Sequence, residues 1–356
     1  MKTKTRSKKR SVFADNIKRS LFFDDRNIPR HLHNIEVISR VGTRKITHVF
    51  HDVDGTHSLI RDWPPVMSRI LSYTIKTGLK NDFDSLENIK RLIAEVGTEP
   101  LNETDRFCIE SAGFSALTQM EWAIRRGIEE RTVEIEGLKF TPEIIRTNSE
   151  IIQKIWRGEE MFDDVPESAK LKEYLTLRTP RLFKLYEEVL NGACRDRNLL
   201  MAKKAPEKWR VGGSLEFVKM LHNLGAINYF VTGAVVCKQS NGKLEGGMYD
   251  EALAIGFEIG PRKMVEDICG STWDQKIPKV GVMKTLCQSL KVDPANILVV
   301  GDGRSEIYAG VKMGAVTISR LPSHYERQRE IHKQIGTNII LTDFTHASCL
   351  ISTYPM

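Results

Sequence analysis

The sequence predicts an α/β protein: a doubly wound parallel sheet whose first strand is separated from the others by an inserted, mainly helical domain. Three observations carry this. A short, partly β-branched apolar run, Ile46 to Phe50, stops at a pair of aspartates in HVFHDVDGTHSLIRDW, residues 48–63. From about residue 64 to 206 apolar residues recur at three- and four-residue spacing, as in VMSRILSYTI, ENIKRLIAEV, EIIRTNSEIIQKIW and RLFKLYEEVL, which is a helical period. After Val211 short helices alternate with buried apolar strands, the pattern of a parallel sheet with helices on both faces.

Residues 1–44 read as a basic, partly disordered leader. Its first ten, MKTKTRSKKR, hold six Lys or Arg and no acid; without them 47 basic residues face 46 acidic ones, so the net charge of +7 belongs to the tail. Such a tail stays solvated without needing a partner, and the nearly neutral body gives no nucleic-acid surface. The next stretch, SVFADNIKRSLFF, is interrupted by Asp15, Lys18 and Arg19, so it lacks the apolar core of a secretion signal. No run approaches the ~20 apolar residues that span a bilayer, so no membrane partner is expected. Cysteines 108, 194, 237, 269, 287 and 349 are scattered without metal-binding spacing, which fits free thiols in a reducing cytoplasm.

The core is expected over residues 45–60 and 207–356, and the helical insert over 61–206. Within the insert, Pro180 in TPRLFKLYEEVL fits the first turn of a helix, with Thr179 as its cap. The second core segment reads as helix SLEFVKMLHNLG, strand AINYFVTG, helices DEALAIGF and KVGVMKTLCQSL, strand NILVVGDG, helix EIYAGVKMG, and strands AVTISR and NIILTDF.

In an open α/β sheet, ligands sit where loops leave the carboxyl ends of the strands. Three such loops carry polar groups: Asp52-Val53-Asp54-Gly55-Thr56, Thr232-Gly233, and Gly301-Asp302-Gly303-Arg304-Ser305-Glu306. Lys279 opens the helix before the last of these strands. Each has an ordinary reading by itself: aspartates in a self-bonded turn, Thr232 as a helix cap, Lys279 as a solvated surface lysine. GDGRSE fails the dinucleotide fingerprint, because Glu306 stands where the third glycine belongs. Carboxylates at 52, 302 and 306 repel one another, and gathering them makes sense around a cation. An all-oxygen set favours a hard ion such as Mg²⁺.

The ordered set DVDGT, a strand ending in Thr, a Lys, and GDGxxE resembles the four motifs of the haloacid dehalogenase superfamily of phosphohydrolases, with a Rossmann-like core. The resemblance covers roughly 45–60 and 210–345. It implies Asp52 as nucleophile, Asp54 as general acid and base, and a metal site from Asp52, Asp54 through its backbone carbonyl, Asp302 and Glu306. It further implies a phosphate-binding set of Thr56, which would brace the loop, Thr232, Gly233 and Lys279. His57 stands where a leucine is usual, Glu306 replaces a more frequent aspartate, and Lys276 lies one turn upstream as a rival to Lys279. The insert corresponds to a cap, whose start makes Arg61 and Trp63 candidate substrate contacts alongside His57; packing is the alternative for all three. The resemblance therefore implies a Mg²⁺-dependent phosphatase acting on a small phosphorylated metabolite, a sugar or polyol phosphate. A phosphomutase with the same nucleophile is the first alternative, and a non-catalytic, nucleic-acid-associated protein using its basic tail the second.

Overall fold

The computed structural model describes residues 19–355 apart from 27, 30, 31, 61, 239–241 and 273–275. The basic tail and Arg61 lie outside the described residues.

Three short strands come first, β1 (Arg19–Asp24), β2 (Ile35–Val37) and β3 (Thr43–Lys45), followed by β4 (His48–His51), which ends at Asp52. The insert is helical: α1 (Trp63–Thr77), α2 (Leu86–Glu95), α3 (Asn102–Glu110), α4 (Ala116–Glu129), α5 (Pro142–Trp156), α6 (Ala169–Leu190) and, after a π-helical turn at Asn191–Arg195, α7 (Asp196–Lys204). The alternation then resumes with α8 (Ser214–Asn223), β5 (Ile227–Val235), a small hairpin of β6 (Cys237–Lys238) and β7 (Leu244–Glu245), α9 (Gly247–Ala254) and β8 (Asp267–Ser271). It ends with α10 (Lys279–Leu290), β9 (Ile297–Gly301), α11 (Arg304–Met313), β10 (Val316–Arg320), α12 (Glu326–Ile335), β11 (Ile339–Leu341) and β12 (Ile351–Pro355).

Seven strands form the central sheet in the order β2-β11-β10-β9-β4-β5-β8, and every neighbouring pair is parallel except β2 with β11. Side chains alternate between its faces, as the two-residue strand period requires. Val49, Leu298 and Val300 pack with Phe217 and Leu221 of α8, whereas Phe50, Ile297 and Val299 pack with Val282 and Met283 of α10. Burial on both faces explains why these strands read as continuous apolar runs. From β4 the chain builds outward to β5 and β8, then returns to β9 on the other side of β4. That reversal leaves a crevice at the carboxyl ends of β4 and β9, where Asp52 begins its loop by donating its N–H to the Val300 carbonyl at 2.8 Å.

The insert has its own core, centred on α1, α4 and α6, in which Phe107 stacks on Trp122 with ring centroids 3.7 Å apart. Its two connections to the sheet run side by side. Leu59 N–H donates to Trp209 O at 2.8 Å and Val211 N–H to His57 O at 2.9 Å. No described helix is long and apolar enough to cross a membrane.

Three expectations need correction. The leader is not all tail, because β1 pairs antiparallel with β12 and β3, burying Leu21 and Phe23 beside the core sheet. No helix starts at Thr179: α6 runs through Pro180, since Leu171, Leu175, Leu182, Phe183 and Tyr186 are buried on either side of it and their packing outweighs one missing backbone bond. Thr232 and Gly233 do not follow β5 but lie inside it, so Thr232 is no helix cap. Its register against β8 shifts between Val231 and Val235, as at a β-bulge.

Candidate active site

The turn after β4 is set by its own backbone. His57 and Ser58 N–H both donate to Val53 O at 2.9 Å, and Gly55 takes the positive φ of 74° that this tight reversal needs. Arg320 holds the loop from β10, donating from Nη1 to Gly55 O at 2.9 Å. Inside it, the buried Thr56 hydroxyl lies 3.3 Å from Asp52 Oδ2 and 3.3 Å from Asp302 Oδ1. Thr56 thus ties the first loop to the third. It is not among the residues that line the adjoining cavity, and its two contacts brace the carboxylates.

Lys279 is the first residue of α10, behind Pro278, and its buried ammonium donates to Asp52 Oδ1 at 2.6 Å and Glu306 Oε2 at 3.1 Å. Burial works against its charge, but Asp52 and Glu306 outweigh that and hold the ammonium above its ordinary range. Lys276, one turn upstream, reaches elsewhere: it donates to Glu121 Oε2 of the insert at 2.6 Å. The structure therefore brings Lys279, not Lys276, to the aspartates.

Asp52, Asp302 and Glu306 each place a carboxylate oxygen within 4.8 Å of the others. Glu306 is buried at the start of α11, accepting from Gly303 N–H at 2.6 Å on Oε1. Burial pushes its carboxyl up to about 7, with Lys279 opposing and the Asp52 and Asp302 charges adding. A Cβ at Gly303 would come within 2.8 Å of both Glu306 oxygens, so glycine is what lets this carboxylate approach the loop. Three converging carboxylates form an all-oxygen donor set that fits a hard divalent cation such as Mg²⁺. The Asp54 side chain is not part of this cluster, but it lines the same cavity.

That cavity, about 550 Å³, lies between sheet and insert. Asp52, Asp54, Thr232, Gly233, Lys279 and Asp302 form its floor, and residues of α1, α3 and α6 its roof. The insert touches the floor through the loop between α3 and α4. Ser305 Oγ donates to Gly113 O at 2.7 Å, and a Cβ at Gly233 would sit 2.3 Å from Phe114 O. Gly233 is thus required for that approach.

Trp63, at the start of α1, lines the cavity as expected. His57 does not: it is fully buried, its ring stacked on Phe344 with centroids 5.1 Å apart. Its Nε2 is 3.0 Å from His51 Nδ1, and His51 Nε2 is 3.2 Å from Asn228 Oδ1. Since the amide oxygen only accepts, His51 donates from Nε2, its Nδ1 accepts, and His57 donates from Nε2. Both rings are neutral, and burial holds both below the ordinary histidine range. His57 is a packing residue beneath the loop.

Sequence reasoning missed Glu251, Arg195 and Asn198. Glu251 of α9 lines the cavity and accepts from Ser58 Oγ at 2.5 Å. Burial pushes it up to about 7, against the Ser58 bond and Arg195, with Asp52 adding. Its signal was an acid on the buried face of DEALAIGF. Arg195 closes the π-helical turn, a local irregularity frequent at functional sites that periodicity cannot show. Asn198 donates to Asp62 Oδ2 at 2.8 Å, joining the two ends of the insert.

No family model and no curated protein matches the chain. Among solved structures it is similar to a beta-phosphoglucomutase from Clostridium difficile, at 10% identity over 84% of this chain and 92% of the other, TM-score 0.42. It is also similar to a phosphonoacetaldehyde hydrolase like protein from Oleispira antarctica, at 12% identity over 86% and 91%, TM-score 0.43. A third similar structure is described as a predicted phosphoglycolate phosphatase from Haemophilus somnus, at 14% identity over 86% and 97%, TM-score 0.38. Likenesses this distant do not bear on the reaction, and the functional argument rests on the site's own geometry.

Proposed function

We propose that the chain is a phosphomonoester hydrolase of the haloacid dehalogenase type, acting in the cytoplasm on a small phosphorylated metabolite through an aspartyl-phosphate on Asp52. The observation that supports this most directly is the contact of Lys279 Nζ with Asp52 at 2.6 Å, in a cluster with Asp302 and Glu306 that adjoins the cavity between sheet and insert. A buried cation beside an aspartate suits a nucleophile that must stay ionised while approaching an anionic phosphoryl group. The six cysteines are all free, as a reducing compartment would have them.

In the first step a carboxylate oxygen of Asp52 bonds to phosphorus as the ester P–O bond breaks, and Asp54 gives its proton to the departing alkoxide. In the second, Asp54 takes a proton from water, whose oxygen attacks phosphorus and releases Asp52 and inorganic phosphate. Lys279 balances charge on nucleophile and phosphoryl group, Thr56 fixes Asp52 against Asp302, and Thr232 and Gly233 flank the phosphoryl position. Mg²⁺ held by Asp52, Asp302, Glu306 and the Asp54 carbonyl would neutralise charge spreading over the phosphoryl oxygens. The insert excludes water from the cavity.

The test is phosphate release from a panel of alkyl, sugar, nucleotide and amino-acid phosphates, with Mg²⁺ and with EDTA, using wild type and Asp52→Asn. Metal-dependent release lost in the variant is the expected result. Release unchanged in Asp52→Asn would overturn the mechanism; turnover that requires a sugar bisphosphate and frees little phosphate would make the protein a mutase instead.

A further inference from the structure

The roof of the cavity bears on the leaving group. Facing the phosphoryl floor are Trp63, Met67, Ile109, Phe114, Phe183 and Leu190, and the core adds Met248 and Leu321 at the sides. The polar side chains that the insert does bring to the cavity are Asp62, Gln119, Tyr186, Arg195 and Asn198, and three of these spend a donor on a neighbour. Gln119 Nε2 donates to Ser111 Oγ at 2.8 Å, Arg195 Nη1 to Glu187 Oε1 at 3.0 Å, and Asn198 Nδ2 to Asp62 Oδ2 at 2.8 Å. Tyr186 turns its ring against Phe183, with centroids 5.6 Å apart.

We infer that the substrate is the phosphomonoester of a largely apolar alcohol, with a branched or cyclic hydrocarbon body, and not a sugar or polyol phosphate as the sequence suggested. The inference rests on the phosphatase reading of the same site. A polyol placed under this roof would set several hydroxyls against indole, thioether and hydrocarbon surface. Each hydroxyl stripped of water without a new partner raises the free energy of the complex. A hydrocarbon body loses nothing on leaving water and gains from burial against the same side chains. About 550 Å³ holds a phosphoryl group with a ring-sized body, within the ordinary range for small-molecule sites. The division is chemical: the core supplies Lys279 and the carboxylates beneath the cavity, and the insert supplies, beside Gln119, Arg195 and Asn198, mostly apolar surface that reads what the phosphate is attached to.

Cyclohexylmethyl phosphate and glucose 6-phosphate make a matched pair, since both are esters of a primary alcohol on a six-membered ring and they differ mainly in hydroxyl groups. Steady-state kcat/KM with Mg²⁺ should favour cyclohexylmethyl phosphate by on the order of 100-fold. Equal rates, or a preference for glucose 6-phosphate, would overturn the apolar class while leaving the phosphatase reading intact. Hydrolysis of neither compound, nor of any other ester in the panel, would overturn the phosphatase reading. Binding of the same two compounds to Asp52→Asn by calorimetry then decides the roof independently: tighter binding of cyclohexylmethyl phosphate supports an apolar ligand, and equal or weaker binding rejects it.

Discussion

In the insert, Arg125 is buried between two glutamates: its Nε and Nη2 donate to Glu121 Oε1 at 2.9 and 2.8 Å, and its Nη1 and Nη2 to Glu167 Oε1 and Oε2 at 2.5 and 3.2 Å. Lys276 completes the set at Glu121 Oε2, so two acids meet two bases and every carboxylate oxygen accepts a bond. In the core, Asp52, Asp302 and Glu306 converge and Lys279 bonds two of the three. Both clusters are buried and ion-paired, and a list of salt bridges does not separate them. Stoichiometry does. The balanced cluster ties α4 to the segments before α6 and α10 and lines a smaller cavity of about 320 Å³ with its charges already matched, whereas the acid-rich one lies under the larger cavity and can take up a cation and a phosphoryl group.

The comparison breaks most visibly at its two central cations. Lys279→Met should leave a folded protein whose kcat/KM falls ~10⁴-fold, about 5 kcal/mol, because one cation balances both nucleophile and transferring group. Steady-state kinetics with circular dichroism as the folding control measures this, and a loss below tenfold would remove Lys279 from the chemistry. Arg125→Met should do the reverse. It strands the buried Glu167, leaves Glu121 with Lys276 alone, and costs about 4 kcal/mol of stability in urea unfolding. Turnover per folded molecule should stay near the wild-type value, since Arg125 is not among the residues that line the cavity over Asp52.

A third buried set sharpens the contrast by being uncharged. Burial holds His51 at about 4, although its bond to Asn228 acts to raise it, and the unfolded side chain titrates near 6.5. Between those values the unfolded chain binds more protons, so this group's contribution to stability is complete above about pH 6.5 and is lost as pH falls toward 4. The full window amounts to about 3 kcal/mol. Glu306 and Glu251, raised to about 7, run the opposite way, their contribution being lost as pH rises. The readout is therefore differential: any advantage of wild type over His51→Gln at pH 7 should shrink by about that amount at pH 4. An advantage independent of pH would mean that His51 is not confined to its neutral form.

What the sequence made legible follows from how local each feature is. DVDGT and GDGRSE each fold on their own backbone, through bonds spanning a few residues such as Ser58 to Val53 and Gly303 to Glu306, so their spacing states their geometry. The alternating strands and helices were equally readable. β1 was not, because its partner β12 lies more than 300 residues away and nothing in RSLFFD names it. Pro180 misled for the same reason: a local stop signal lost to a packing stripe fixed by other helices. His57 drew notice because it stands where a leucine is usual, and of contact and packing the structure shows packing, in an aromatic box of Phe230, Phe257 and Phe344 that comes from three separate segments. Beyond Trp63, the roof of the cavity was not legible for a related reason. Met67 and Phe183 belong to the same apolar helical periodicity as the insert's core, and period alone cannot say which of them face a void.

Lys276 joins the two clusters and gives the finest test of the comparison. It sits three residues before Lys279, yet its ammonium leaves the sheet for Glu121 and lies 5.1 Å from the Phe162 ring centroid. Glu121 is held down to about 2: burial raises it, but Lys276 first and Arg125 second outweigh burial. Lys276→Gln leaves both Arg125 bonds on Oε1 and keeps a neutral donor for Oε2, so the expected cost is about 1 kcal/mol, as for a partly exposed pair. The depressed Glu121 carboxyl contributes stability above its unfolded range that is lost as pH falls. With Lys276 gone, the gap between folded and unfolded carboxyl narrows, so less stability should be lost between pH 7 and pH 4 than in wild type, which urea unfolding at those two values would record. Turnover should change only a few-fold, through the hold of the insert on the core and not through the reacting groups. A collapse of activity matching that of Lys279→Met, with stability unchanged, would mean that the two lysines exchange roles when the cavity is filled and that the balanced cluster is also part of the active site.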